Sequence, residues 1–255
     1  MITLFRRIRQ KLIDSGNITK YLLYAVGEIL LVVIGILIAL QVNNWNEERK
    51  SRAEETFFLE KLVSNLEADS VTTNLILSNM YVLETKIDSS LYMMAHPDAF
   101  DSQVFTDHIN RMLGTTTIAL NRATYDNMLS SGKISLITNQ QIVDALFDYY
   151  DPASNYISWA EAQKEYTRNH FGPLLMEIDY LTSGVFVSGK SNANYDRLKK
   201  SEQPYNFYRE NQQLLNYLNF KYYINSGYIE SIEGELLPKL YSTLALIRDE
   251  LQHRQ

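Results

Sequence analysis

The feature that most constrains this chain is an apolar stretch of 20 residues, Tyr21–Leu40, in which Glu28 is the only charged side chain. As a helix it would extend about 30 Å, which is the thickness of the hydrocarbon core of a bilayer. The buried helix of a soluble protein usually keeps a polar face, whereas Ile29–Leu40 is apolar or glycine on every side. We therefore predict one transmembrane helix over residues 18–45. The alternative is the core helix of a soluble protein.

The segment after this stretch argues against a cleaved signal peptide. A signal peptide has an apolar region of about 7–15 residues and a cleavage site formed by small residues. The apolar stretch is longer than that, and Gln41–Trp45 offers no such site. Trp45 instead fits the membrane interface, where amphipathic rings are enriched. We expect the helix to be retained in the mature protein.

The distribution of charge predicts the orientation of the helix. Five basic residues precede the apolar stretch, against Asp14 alone: Arg6, Arg7, Arg9, Lys11 and Lys20. On the other side, arginine and lysine are mixed with four glutamates between residues 47 and 55. The positive-inside rule then places the N-terminus in the cytoplasm and residues 46–255 outside it. In a diderm bacterium this is a single-pass protein of the inner (cytoplasmic) membrane with a periplasmic domain.

Residues 1–17 form a predicted amphipathic arm. Apolar residues recur on one helical face, and the basic residues that would contact an anionic membrane surface are Arg6, Arg7, Arg9 and Lys11. Two interpretations remain open. The arm is either an anchoring flank or a docking site for a cytoplasmic partner.

Glu28 belongs to a stripe of residues at helical spacing, and three members of this stripe are small. The predicted helix-packing seam consists of Ala25, Glu28, Val32, Gly35, Ala39 and Val42. Small residues allow a second transmembrane helix to approach closely, and ionisable residues inside a span usually face protein. Glu28 is therefore interpreted as a neutral, hydrogen-bonded packing residue. The alternatives are a side chain that reaches the cytoplasmic surface and a member of an ion or proton path.

The stretch Lys20–Lys50, KYLLYAVGEILLVVIGILIALQVNNWNEERK, resembles the N-terminal signature of an uncharacterised family of single-span membrane proteins of the Bacteroidetes. The elements that carry the resemblance are Lys20–Tyr24, Gly27–Glu28, Ile29–Leu40 and Asn43–Glu47. A second segment, Ala123–Asp151, is more weakly similar to another recurring part of the family. The resemblance implies one span and a mainly helical outer domain. It implies no activity and no catalytic residues.

Residues 46–255 are predicted to form an all-α helical bundle that continues from the transmembrane helix. Asn46–Met94 contains neither proline nor glycine, and apolar residues recur along it at helical spacing, so it is expected to be one long helix or two joined near Asp69. Further helices are expected around 102–113, from about Ala123 to Gly132, and after a capping box formed by Thr138 and Gln141. Two more are expected around 155–170 and from Pro173 to about Leu181. The last two are expected over 205–225, before Gly227, and from about Ile232 to Leu251, with Pro238 in the first turn of that helix or at a kink. A small hairpin is expected within residues 182–192.

The composition excludes several functions. The chain has a net charge of −6; residues 1–45 carry five basic and two acidic side chains, so the remainder carries −9. An acidic domain is a poor ligand for nucleic acid, which requires clustered lysine and arginine. No cysteine is present, which excludes thiol catalysis and cysteine-bound metals.

Three short motifs resemble catalytic or binding motifs, but we expect none of them to be functional. The motif His96–Asp98 resembles a co-chaperone loop without the compact hairpin of that family. Ser130–Lys133 lacks the first glycine and the final hydroxyl of a phosphate-binding loop. The pair Glu250 and His253 is a single Glu-x-x-His, and a di-metal bundle needs two. We therefore predict no catalytic residue, cofactor or metal, and no enzymatic activity.

The function predicted from sequence is that of a membrane-anchored accessory or scaffold protein of the cell envelope. Its partners would be membrane lipid and either further copies of itself or another membrane subunit. Two tyrosine-rich segments, within 148–159 and 219–228, are interpreted as packing residues, with a ligand pocket or a partner surface as the alternative. Two other functions remain open: an extracytoplasmic ligand-sensing subunit that signals through a separate partner, and an ion-path subunit that uses Glu28.

Overall fold

The computed structural model describes residues 18–177 and 205–254. Over these ranges the chain is helical and contains no strand, which confirms the all-α prediction. The N-terminal arm and the expected hairpin at 182–192 lie outside the described residues, as does the end of the helix that was expected to reach Leu181. Contacts divide the chain into two compact units, Met1–Phe57 and Phe58–Gln255.

The longest element is α1, a single helix of 78 residues from Ile18 to Ala95. Of the two possibilities expected from the sequence, one long helix or two joined near Asp69, the structure has one continuous helix. It ends at Ala95, just after the stretch Asn46–Met94 that lacks proline and glycine. A 3-10 turn at Pro97–Ala99 follows, and Asp101 then caps the next helix by accepting a hydrogen bond from the backbone N–H of Val104.

In the first unit, α1 carries its apolar side chains uncovered. Those described between Leu22 and Trp45 are exposed, from 43% at Val33 to 70% at Leu23. No residue of the most apolar window is buried, and this helix is long and apolar enough to be a candidate membrane span by length and composition.

The second unit is a bundle of helices around the C-terminal part of α1. The helices after α1 are α2 (Ser102–Met112), α3 (Ala123–Ser130), α4 (Gln140–Tyr149), α5 (Asn155–Tyr166), α6 (Gly172–Glu177), α7 (Tyr205–Arg209), α8 (Gln212–Ser231) and α9 (Leu237–Gln252). Wide π-turns at Thr167–Phe171 and Ile232–Leu236 join α5 to α6 and α8 to α9. A 3-10 turn at Lys133–Leu136 follows α3.

Two apolar clusters form the core of this unit. The first packs α1 residues from Phe58 to Met80 against α3, α4, α9 and parts of α5 and α8. The second packs α1 residues from Leu83 to Met94 against α2, α6, α7, the end of α5 and the part of α8 up to Ile224. The apolar stripe of α1 seen in the sequence is therefore its buried face here, with Leu62, Leu66 and Ile87 fully buried.

Local signals at two helix ends and along one helix face behave as the sequence suggests. Gly132 follows the end of α3 with φ = +73°, a left-handed conformation that favours glycine. Pro238 lies in the first turn of α9, where a missing backbone N–H is tolerated. The face of α4 formed by Ile142, Leu146 and Tyr149 is fully buried.

Two predicted boundaries are wrong. The cap of α4 is Asn139 rather than Thr138, because the Asn139 side chain accepts the backbone N–H of Gln141. The helix expected over 205–225 is interrupted at Glu210–Asn211 and then continues through Gly227 to Ser231. Gly227 is a packing residue there, because a Cβ at this position would lie 2.6 Å from the ring of Trp159.

Candidate functional site

The predicted helix-packing seam is an exposed surface of the first unit. Val32 and Val42 are exposed by more than half, and Ala25 and Glu28 are partly covered. A Cβ added at Gly35 would meet no atom within 4 Å, so nothing in the described chain occupies this position. The seam therefore has the open geometry that a second helix would need, and contact with such a helix stays a prediction. Arg6, Arg7, Arg9 and Lys11 lie outside the described residues.

A buried carboxylate connects α1 to two other parts of the bundle. Asp69 Oδ1 accepts the backbone N–H of Asn121 at 2.8 Å, and Oδ2 accepts the hydroxyl of Tyr149 at 3.0 Å. Burial raises the pKa of the Asp69 carboxyl, and these two hydrogen bonds oppose that shift. Burial also raises the pKa of Tyr149, and the Asp69 charge adds to the shift. The arrangement fits a structural connection, because both carboxylate oxygens are used.

The Arg122 guanidinium completes this network at its edge. It lies 5.5 Å from the ring centre of Tyr125 and 5.3 Å from that of Tyr150. Its Nη1 donates to the carbonyl of Tyr150 at 2.6 Å, and the Tyr150 hydroxyl donates to the carbonyl of Asn121 at 3.1 Å. The first tyrosine-rich segment is thus mainly packing, as interpreted from sequence.

The second tyrosine-rich segment is divided between core and surface. Tyr228 is fully buried, and its hydroxyl accepts the backbone N–H of Ile118 at 3.3 Å. On the opposite face of α8, Phe220 and Tyr223 are 47% and 60% exposed. With three amides they form what we call the α8 strip, a single face of the helix: Gln212, Asn216, Asn219, Phe220 and Tyr223.

Rings from α5 flank the aromatic end of the α8 strip. The centroid of Trp159 lies 5.7 Å from that of Tyr223, and the centroid of Tyr166 lies 4.8 Å from that of Phe220. Phe220 and Tyr223 themselves are 5.9 Å apart and nearly parallel. Packing against these neighbours restricts the rotamers of the exposed rings, which suits them to a contact surface.

Lys221 is a buried cation on the inner face of α8. Its side chain is fully buried, and Nζ donates to Thr167 Oγ1 at 2.7 Å, at the start of the first π-turn. Burial lowers the pKa of Lys221 to about 8. Two buried amides lie one turn away, Gln163 before Thr167 and Asn225 after Lys221. In the described part of the chain, Gln163 Nε2 and Asn225 Oδ1 have no hydrogen-bond partner. This environment stabilises the neutral amine.

Sequence reasoning missed Lys221, although a signal was present. Lys221 is the only charged residue in Asn211–Ile229, and it is spaced by three or four residues from Leu218, Ile224 and Asn225 on the apolar stripe of that helix. A lysine in that register is predicted to be buried. Asp69 was treated only as a possible helix boundary, and its burial depends on tertiary contacts.

Comparison with family models gives one match, a family of unknown function, DUF6090, over residues 28–161, more than half of the chain. The chain belongs to the DUF6090 family. The matched region begins at Glu28 and includes most of the seam, Asp69 and all of Ala123–Asp151. Lys221 and the α8 strip lie outside the DUF6090 match. No curated protein and no solved structure matches the chain.

The three motifs that resembled catalytic or binding motifs have local structural contacts. The His96 ring stacks on Tyr92 with centroids 4.0 Å apart, just before the 3-10 turn. The Lys133 Nζ lies 5.3 Å from the ring centre of Phe58. Glu250 accepts from Asn139 Nδ2 at 2.9 Å and from Arg254, while His253 bonds to the carbonyl of Asp249. Among the described residues of this DUF6090 protein, no group of three or more acidic or histidine side chains could hold a metal.

Proposed function

We propose that this protein is a membrane-anchored accessory or scaffold protein of the cell envelope, acting through helix–helix and protein–protein contacts and without catalytic activity. The observation that carries this proposal is the uncovered apolar surface of α1 between Leu22 and Val42. Monomeric soluble proteins rarely leave a contiguous apolar surface of this length in water. A lipid bilayer covers it on all sides, and the length of the stretch matches the hydrocarbon core.

The proposed topology is a single span with a cytoplasmic N-terminus and an extracytoplasmic second unit. The excess of arginine and lysine before Tyr21 supports this orientation. The resemblance of Lys20–Lys50 to a signature of the Bacteroidetes makes the inner membrane and the periplasm the proposed location. The acidic net charge of residues 46–255 is consistent with a domain that binds neither nucleic acid nor an anionic membrane surface.

The experiment is a pair of reporter fusions placed after Gln255, one active only in the cytoplasm and one active only outside it. The extracytoplasmic reporter is expected to be active, and the chain is expected to stay in the membrane pellet after alkaline extraction. Activity of the cytoplasmic reporter would overturn the orientation. Release of the chain at alkaline pH would overturn the anchor itself.

The helix-packing seam is the proposed contact within the membrane. Gly35→Ile should weaken association because a large side chain forces the two backbones apart. Glu28→Gln keeps the shape and most hydrogen bonds of the glutamate, and is expected to be tolerated. Glu28→Leu removes the polar contact and should weaken association by about 1 kcal/mol. If Gly35→Ile and Glu28→Leu both leave the assembly mass in detergent unchanged, the seam is not a contact.

A further inference from the structure

The α8 strip has an unusual chemistry for the surface of an acidic domain. Its exposed residues are three amides and two aromatic rings, and the one charge between Asn211 and Ile229, on Lys221, points into the core. Exposed charge pairs occur elsewhere in the same unit. Glu161 and Lys164 pair on α5, and Arg248 of α9 pairs with Glu67 of α1. Depletion of charge with enrichment of aromatic residues is typical of the central part of a protein interface.

The kind of partner follows from the hydrogen-bonding chemistry of the α8 strip. A partner related by a two-fold axis presents the same surface, so the surface must be complementary to itself. Asparagine and glutamine amides carry both donors and acceptors and can pair with a copy of themselves. Aromatic rings likewise pack on aromatic rings. A charged group would instead meet its own like charge across the axis.

The net charge of the chain also favours a second copy as the partner at this surface. Residues 46–255 carry a net charge of −9, so two copies repel each other over most of their surfaces. The α8 strip itself carries no charge, and the next exposed residue on that face, Glu230, lies seven residues beyond Tyr223, so two copies can approach at the strip without opposing like charges directly. We infer that the α8 strip is the docking surface for a second copy of this chain, with α8 against α8. This deepens the proposed scaffold function by naming its partner, and it concerns a surface separate from the seam.

Disulfide trapping tests the inference directly, because the chain contains no cysteine. Single cysteines would replace Asn216, Asn219 and Tyr223 in turn in the full-length protein in lipid nanodiscs or mild detergent. At least one should give a disulfide-linked dimer of twice the chain mass, since residues near a two-fold axis bring their Cα atoms within disulfide range. The control is Gln103→Cys on α2, also exposed, which should give no dimer.

A charge substitution provides the second arm. Asn219→Glu places two carboxylates across the two-fold axis, and should raise the dissociation constant of the dimer by about tenfold or more. Gln103→Glu is the matched control and should leave the constant unchanged. Both positions are exposed, so thermal unfolding of each variant should match the parent and show that the fold is intact.

The outcomes separate this inference from the proposed function. If all three strip cysteines fail to cross-link while Gly35→Ile dissociates the assembly, the inference is wrong and the scaffold proposal stands. If a strip cysteine cross-links but the chain is extracted at alkaline pH, the docking surface stands and the membrane anchor fails. A cross-link from the strip to a different polypeptide, with none between copies, would also overturn the inference.

Discussion

The N-terminal and C-terminal parts of α1 differ in which of their apolar side chains are buried. Between Ile29 and Leu40 the helix is apolar around its whole circumference, and its large side chains are exposed. Between Phe58 and Met94 it is apolar along one stripe, and that stripe is buried in two clusters. A helix that is apolar all round needs an apolar solvent, whereas an amphipathic one needs a protein core on one side and water on the other. The difference is therefore one of exposure and of sequence pattern along one continuous helix.

The largest effect is expected from matched pairs of lysine substitutions, which test whether each part of α1 lies in lipid or in water. Leu30 and Ile34 are each 54% exposed, and Val71 and Leu75 are 72% and 64% exposed on the same helix. Leu30→Lys with Ile34→Lys should cost about 6 kcal/mol in a bilayer, at about 3 kcal/mol for each lysine. The chain should then lose its resistance to alkaline extraction.

The pair Val71→Lys with Leu75→Lys is the control for that experiment. These side chains already contact water, so membrane retention and thermal stability should stay within about 0.5 kcal/mol of the parent. Equal behaviour of the two pairs would mean that both parts of α1 lie in the same solvent, and the membrane interpretation would be lost.

Truncating one leucine in each part should give the next largest difference. Leu66 is fully buried in the first core cluster, so Leu66→Ala should destabilise the second unit by about 2–5 kcal/mol. Leu37 is 59% exposed, so Leu37→Ala should leave the unfolding of that unit unchanged. Thermal unfolding followed by tyrosine circular dichroism measures both. A stability loss at Leu37 equal to that at Leu66 would show that protein covers the N-terminal part of α1.

Replacing one glycine in each unit by alanine compares how much space surrounds α1 in the first unit and α8 in the second. Gly227→Ala would place a Cβ 2.6 Å from Trp159, and should destabilise the second unit by about 1–3 kcal/mol through overpacking. Gly35→Ala meets nothing within 4 Å and should leave that unit unaffected. Adding Trp159→Phe to Gly227→Ala should recover part of the loss in melting temperature. No recovery would indicate that the ring is not the obstacle.

The smallest expected effect is a pH dependence from Lys221. Its pKa is about 8 in the folded chain, below the usual 10.5, so the unfolded chain binds more protons between these values. Stability should therefore rise with pH, by about 1 kcal/mol between pH 7.5 and 9. Below this pH range, His108 also contributes to the rise in stability with pH, because burial lowers its pKa. Well above the range, stability should fall with pH, because burial raises the pKa of tyrosines such as Tyr150 and their ionisation favours the unfolded chain.

Lys221→Met should abolish that rise, because it removes the titrating group and keeps most of the side-chain volume. Lys164→Met, which changes an exposed lysine, should retain it. The measurement is the denaturant midpoint at several pH values. A rise that persists in Lys221→Met would assign the pH dependence to another group.

The sequence predicted the features that depend on local chemistry. The helical character of α1, its end before Pro97 and the glycine after α3 all follow from helix propensity and backbone restrictions, which act over a few residues. Whether α1 was one helix or two joined near Asp69 was left open by the sequence. At the start of α4, two adjacent residues could each cap the helix, and the sequence pattern favoured Thr138 although Asn139 performs that role.

The remaining features depend on contacts between distant segments. Gly227 looks like a helix end until the ring of Trp159 is known to fill the space above it. The burial of Asp69 depends on Asn121 and Tyr149, which are 52 and 80 residues away along the chain. The α8 strip could not be predicted from the sequence, because tyrosines occur on both the buried and the exposed face of α8 and only the structure shows which of them are exposed.

The two π-turns have a consequence for how this chain tolerates changes of length. In each, the closing hydrogen bond spans five residues, from the N–H of Gly172 to the carbonyl of Thr167 and from the N–H of Leu237 to the carbonyl of Ile232. A wide turn of this kind holds one residue more than the α-helical turn that would replace it. A deletion of one residue within Thr167–Phe171 or Ile232–Leu236 would therefore keep the later side chains on the helix faces they occupy now, although Pro173 and Pro238 would still donate no backbone hydrogen bond inside the joined helix. The same deletion in the middle of α9 would instead rotate every later side chain by about 100°. Homologous sequences that differ by one residue in length are expected to carry the gap at these two turns.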